Sequence, residues 1–200
     1  PVSNSKGWDE NTMGEVLDLI TYGLTVRPEY IKNGVPLISA REIRSGEVNY
    51  DSAPNISESD FENLSEKGKP KLGDILFSKT GSIGHCAIVN NSKVFAVTQN
   101  AARLSFKDHV NEIYALYYLR SPYIQLLARK RAKGNAVKDL QLGDMKKFVF
   151  LNPPYTLQSQ FAKYVQTIDS QKVLAEESLN KSEDLFNSLL QKAFKGELTN

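Results

Sequence analysis

The stretch LGDILFSKTGSIGHCAIV, residues 72–89, sets two apolar runs, 75–77 and 86–89, on either side of a polar turn, SKTGSIG, at 78–84. Short β-prone runs around a Gly/Ser cluster predict a strand, a tight turn and a returning strand. Such a hairpin is expected to carry Lys79, Thr80 and Ser82 at an exposed tip on a rigid base. The turn lacks the GK[ST] ending and four-residue spacing of a phosphate-binding P-loop, and it also lacks G-x-G-x-x-G. Ser78, Ser82 and His85 stand near one another, but no G-x-S-x-G elbow surrounds a serine and Asp74 has no evident role. The reading is a hairpin tip, not a catalytic loop.

The flanking sequence supplies more strands. Trp8 and the pattern Met13, Val16, Leu17, Leu19, Ile20 open the fold after a loose terminus at 1–7. Gly23, Pro28, Gly34 and Pro36 make 21–34 an irregular loop that presents Tyr22, Thr25, Arg27, Tyr30 and Lys32; 37–40 reads as a buried strand. Ser57 or Ser59 caps a short helix whose first turn holds Glu58, Asp60 and Glu62. Residues 94–106 alternate well enough for one or two strands, interrupted by Gln99, Asn100 and Arg103. Helical periodicity follows over 111–131, split at Ser121-Pro122 because proline suits the first turn of a new helix. KFVFL at 147–151 is a last strand.

From about residue 157 the pattern changes. Phe161, Val165, Ile168, Lys172, Ala175, Leu179, Ser182, Phe186, Leu189 and Ala193 follow alternating steps of four and three, a heptad seam that requires a partner helix. Gly196 is the expected C-terminal cap. Strands precede one long helix without strict alternation, so the fold class is α+β: a mixed-sheet domain at 1–155, then a coiled-coil-type helix at 156–200.

Charge is unevenly placed. Residues 42–66 carry seven acids against Arg44, and residues 120–147 carry eight bases against Asp139 and Asp144. A basic block beside an acidic one suits an anion-binding face, although a solvated helix face has the same look. One cysteine, Cys86, excludes internal disulfides and fits a reducing cytoplasm. Two histidines and that cysteine make a metal site improbable. No apolar run reaches the roughly 20 residues of a membrane helix, and no signal peptide is expected.

Asn152-Pro153-Pro154-Tyr155 resembles the catalytic tetrapeptide of adenine-N6 methyltransferases, which hold and stack a flipped base. No F-x-G-x-G cofactor loop accompanies it, and two prolines before a helix also end a strand and start that helix. A fragment of such a methyltransferase is therefore the alternative reading. A coiled-coil adaptor without DNA function is a third.

The ordered series GDILFSKTGSIG, TQNAARL, YALYYLRSP, KGNAVKDL and a PP-led long helix ending F-x-G-x-L resembles one half of a type I restriction–modification specificity subunit. W-x4-MGEV and YGLTVRPEY…GVPLISAREI near the start fit the same pattern. The resemblance implies a non-catalytic chain whose target-recognition domain reads one half of a split duplex DNA site. Its helix would pair antiparallel with that of a second copy or second half, and dock modification subunits and in some assemblies restriction subunits. S-adenosylmethionine, ATP and Mg are expected only on those partners. One domain and one helix imply a half-length subunit or a fragment of a longer one. LQSQ at 157–160 departs from the family's acid-containing L-x-E-Q run, though Gln160 is kept.

On this reading Lys79, Arg129, Lys133 and Lys138 contact phosphates. Arg27, Thr80, Ser82, Gln99, Asn100 and Asn135 read bases, since Arg suits guanine and Asn or Gln suits adenine. Tyr30 joins them from the 21–34 loop.

Overall fold

A computed structural model describes residues 4–197. Pro1–Ser3 of the expected loose terminus and Leu198 of the closing motif lie outside the described residues. The chain divides into two compact units, Pro1–Ser159 and Gln160–Asn200.

The first unit opens with β1 (Asp9–Thr12), a single helical turn α1 (Met13–Val16) and β2 (Leu17–Tyr22). The Glu15 carboxylate accepts from the Thr12 main-chain N–H at 2.6 Å and so starts α1 as a capping box. Met13 and Val16 are thereby turned inward, where both are buried. Next come β3 (Val35–Ile38), β4 (Asn55–Ile56) and α2 (Glu58–Glu62), the last capped by Ser57 Oγ accepting from Asp60 N at 3.0 Å.

The hairpin expected from 72–89 is present. β5 (Ile75–Ser78) and β6 (Cys86–Ile88) pair antiparallel, with Phe77 opposite Cys86. β7 (Ala96–Val97) and β8 (Ala101–Phe106) resolve the 94–106 stretch into two strands. The main sheet runs β2-β8-β5-β6, antiparallel throughout. A smaller sheet, β4-β3-β7, is mixed, because β3 pairs β4 antiparallel and β7 parallel.

Helices α3 (Glu112–Arg120) and α4 (Pro122–Arg131) meet at Ser121, which ends one and caps the other. They cover the main sheet with Ala115, Leu116, Leu119, Ile124 and Ala128, in one core with Ile75, Phe77, Cys86 and Leu104. After the turn α5 (Leu142–Met145), β9 (Val149–Asn152) returns to pair β1 antiparallel. Pairing the last strand with the first closes the unit.

Helix α6 (Tyr155–Phe194) spans 40 residues, about 60 Å at 1.5 Å per residue. The bonds Gly196 N→Ala193 O and Glu197 N→Lys192 O close it as a Schellman cap. Thr167, Ser170 and Ser182 donate to the carbonyls four residues back, which satisfies their hydroxyls within the helix. Lys172 pairs with Asp169 at 3.7 Å. Of the expected seam, Phe161, Ile168, Ala175, Leu179, Phe186, Leu189 and Ala193 are exposed, whereas Val165 is buried. Val173, Leu174, Leu185 and Leu190 are exposed as well, so the apolar stripe is broader than a simple heptad seam.

One sequence expectation needs correcting. Lys79 does not project from the hairpin tip; it is buried, because an acid on another loop draws its ammonium inward. Arg103, read as a polar insertion in the 94–106 strands, lies within β8, buried and paired with Asp74.

Candidate nucleic-acid interface

The 78–85 loop is braced from within. Ser78, fully buried, donates from Oγ to Ser82 O at 2.6 Å and accepts from His85 N at 2.8 Å. A serine thus replaces ladder bonds that the turn cannot make. The exposed part of the loop is reduced to Gly81 and Ser82, with Thr80 half-buried.

Three distant segments meet at this loop through main-chain hydrogen bonds. Lys79 N donates to Asn100 O at 2.9 Å. Leu140 N donates to Lys79 O, and Gly81 N to Lys138 O, both at 2.8 Å. Gln99 N donates to Leu24 O, and Leu24 N to Val97 O, which ties the 23–34 loop to the same cluster. The 133–139 segment is itself a small hairpin, with Lys133 and Asp139 exchanging both main-chain bonds. Gly134 adopts φ +116°, and a Cβ there would lie 2.1 Å from Val137 O, so the turn needs glycine.

Side chains complete the junction. Lys79 Nζ and Thr80 Oγ1 each donate to Asp139 Oδ1 at 2.5 Å, and Gln141 Nε2 donates to Asp139 Oδ2 at the same distance. Burial pushes the Asp139 carboxyl up, but the bonds from Lys79 and Thr80 and the Lys79 charge outweigh it and hold the carboxyl below its usual value. Lys79 Nζ also lies 5.6 Å from the centre of the Tyr22 ring. Around these groups opens a cleft of about 550 Å³, lined among others by Tyr22, Thr80, Gln99, Asn100 and Val137.

Of the residues expected to meet DNA, Lys79, Thr80, Gln99 and Asn100 line this one cleft. Lys133, Asn135 and Lys138 are exposed on the hairpin beside it, Lys133 reaching Asp144 at 3.5 Å. Arg27 stacks on Tyr30, 4.9 Å from the ring centre, on the 23–34 loop. Ser82 faces elsewhere, toward Arg44 Nη2 at 3.4 Å, and Arg129 sits in the last turn of α4. Sequence reasoning missed Val137, Gln141 and the joining role of Asp139. A lone acid within a basic run, immediately after Lys138, was the available signal.

NPPY does not form a free catalytic motif. The Asn152 side chain donates to Asn11 Oδ1 and accepts from Gln158 Nε2, and Pro153 O accepts from Gln158 as well. The tetrapeptide ends β9 and begins α6.

These elements make a mixed-sheet α+β fold in which loops from four parts of the chain gather into a polar cleft and one long helix follows. The chain belongs to the family described as "Type I restriction modification DNA specificity domain", whose sequence pattern matches residues 5–183.

The relatives agree. The EcoBI specificity subunit of Escherichia coli is 28% identical over 96% of this chain and 42% of its own length. The EcoKI specificity subunit of Escherichia coli strain K12 is 25% identical over 92% of this chain and 42% of its own length. Among solved structures, the HsdS subunit of Thermoanaerobacter tengcongensis matches with a TM-score of 0.64 at 21% identity, over 97% of this chain and 46% of that one. A chain from work on complex assembly of the type I R-M system reaches 0.68 at 20% identity, over 99% and 49%. These likenesses show the fold, and the chain spans less than half the length of each relative.

Proposed function

We propose that this chain is the recognition half of a type I specificity subunit, reading one half of a bipartite duplex DNA site without catalysing a reaction. The carrying observation is the junction at Lys79, Asn100 and Asp139, where loops far apart in sequence are fastened by main-chain bonds. Fastened loops hold base-reading groups at low entropic cost. Gln99 and Asn100 offer the paired donor and acceptor that adenine presents for in the major groove, and Val137 offers an apolar contact for a thymine methyl. Lys133, Lys138 and Asn135 flank the cleft and suit phosphates and sugar edges. Lys79, buried and paired, supports the cleft from behind.

The exposed stripe of α6 supports antiparallel pairing with the helix of a second copy or second half, and docking of modification subunits, with restriction subunits joining some assemblies. S-adenosylmethionine, ATP and Mg then belong to those partners, and the assembly works in the cytoplasm. Within this chain no described helix is long and apolar enough to cross a membrane.

The test is selection of random duplexes by the assembled complex. A shared half-site that changes when Gln99, Asn100 and Val137 are replaced together is the expected result. A pool with no shared half-site overturns the reading.

A further inference from the structure

The 78–85 loop has a second flank. At its His85 end lies a separate cleft of about 330 Å³, whose lining includes Arg44, Gly84, His85, Arg120 and Gln125. Arg44 comes from the turn after β3, His85 from the hairpin, and Arg120 and Gln125 from α3 and α4. The cleft is rigidly framed. Arg120 Nη2 donates to Gly46 O at 2.7 Å and Cys86 O at 2.9 Å, pinning the Arg44 turn to the hairpin. Gln125 Nε2 donates to Gly84 O and Leu119 O, both at 2.8 Å. Gly84 has φ +106°, and a Cβ there would lie 2.1 Å from Gln125 Oε1, so only glycine fits.

The charges in this cleft are of one sign. Arg44 is exposed and touches Ser82 Oγ, and Arg129 in the last turn of α4 adds its field at His85. Burial first, then the Arg44 and Arg129 charges, hold the His85 imidazole below its usual value. Among the described residues no carboxylate lies within ion-pair distance of Arg44 or Arg129. Cations in the last turn of α4 do answer its dipole, which accounts for Arg129 to Arg131 by themselves. It does not account for Arg44, which lines the cleft from a different loop and whose charge also acts on His85. Two positive charges that both act on one imidazole repel, a cost that an anion would recover.

We propose that Arg44, Ser82, His85 and Arg129 form a phosphate notch that grips the DNA backbone at one end of the 78–85 loop, while the cleft at Lys79 and Thr80 reads bases at the other. Two guanidinium groups suit a phosphodiester, since each can donate two parallel bonds to its oxygens. The Ser82 hydroxyl and an imidazole N–H supply further donors. The notch rests on the DNA-reading function proposed above and adds a register-setting contact to it.

The chain has two histidines, so proton NMR can follow His85 with His109 as an internal control. With the full chain, inorganic phosphate and separately a duplex carrying the selected half-site are expected to move the His85 titration midpoint to higher pH. The R44A/R129A double variant should lose both responses. In the assembled complex, that variant should flatten the slope of log affinity against log salt by about 0.9 for each lost phosphate contact. An unmoved His85 with an unchanged slope overturns the notch. So does a response to inorganic phosphate that no duplex reproduces, which marks an adventitious ion only. A selection that yields a half-site while the double variant keeps its slope defeats the notch but leaves the reading function standing. A selection without any half-site defeats the function itself.

Discussion

Lys79 Nζ lies 2.5 Å from Asp139 Oδ1, and this pair, 60 residues apart in sequence, fastens the main hairpin to the basic 133–139 hairpin. Thr80 and Gln141 donate to the same carboxylate, so one acid organises three donors from two loops. Removing it leaves a largely buried ammonium without its counter-charge. D139A is expected to destabilise the domain by about 1.5–3 kcal/mol, the range for hydrogen bonds to charged groups. Half-site preference should broaden as the cleft loosens. A denaturant midpoint equal to that of the parent chain would show that the pair contributes nothing.

The same carboxylate sets a pH dependence. Its value in the folded chain is held below the usual one, so the unfolded chain takes up the proton first as pH falls. The stability from Asp139 is therefore present above the unfolded value of about 3.9 and is lost as pH drops through the lower folded value. Urea midpoints measured from pH 7 to pH 3 should fall more steeply below about pH 4 in the parent chain than in D139N. Parallel profiles for the two proteins would remove the carboxylate from this role.

Asp74 and Arg103 form the second ion pair, 2.6 Å apart, with each side chain about 5% exposed. Ser105 Oγ and Lys71 N donate to the same acid, and Arg103 Nη1 donates to the carbonyls of Glu66, Lys67 and Lys69. A buried charge that loses its partner costs about 3–5 kcal/mol, while an apolar replacement of both is often much milder. D74A and R103M should each melt far below the parent chain, and the double variant should recover part of the loss. Additive losses in that cycle would mean the two residues act separately.

Local chemistry made much of this fold readable. The 75–78 and 86–88 strands, the Ser121-Pro122 break and the α6 periodicity follow from turn residues, proline and heptad spacing, all of which act within a few residues. The roles of Asp74, Arg103, Lys79 and Asp139 are not legible locally, because their partners lie 29 and 60 residues away. A charged residue looks the same in sequence whether it faces water or an opposite charge in the interior. Of the cleft, Thr80 is legible as a hairpin-tip residue, and Gln99 and Asn100 as polar residues interrupting strands. Val137 was not, because a lone valine in a basic turn carries no signal until the turn is folded.

Cys86 offers a check on the packing beneath the hairpin. It is buried in the core, donates weakly to Gly84 O, and desolvation pushes its thiol up to about 12, against a smaller opposing pull from Arg120. Thiolate is the reactive form, so almost none is available near neutrality. Iodoacetamide should label the native chain very slowly at pH 8 and the urea-unfolded chain readily. Fast labelling of the native chain would show that the hairpin opens.

Gln158 is the least conspicuous residue with a large expected effect. It lies in the first turns of α6 and is 1% exposed, and its amide is used on both sides. Oε1 accepts from Asn111 N at 2.9 Å, at the N-cap of α3, while Nε2 donates to Pro153 O at 2.8 Å and Asn152 Oδ1 at 3.0 Å. One side chain thus pegs the start of α3 to the turn that leads from β9 into α6. Leucine fills the same space but leaves the Asn111 N–H and the Pro153 carbonyl buried without partners, each worth about 1–3 kcal/mol. Glutamate restores the acceptor and still loses the donor, with a charge added in a dry site. Q158L and Q158E should therefore both lower the melting temperature. Faster hydrogen exchange should be confined to residues near 109–112 and 152–154, leaving the 75–88 hairpin protected. Exchange that rises uniformly through the domain would mean global destabilisation instead of a local peg, and an unchanged melt with Q158L would remove the peg altogether.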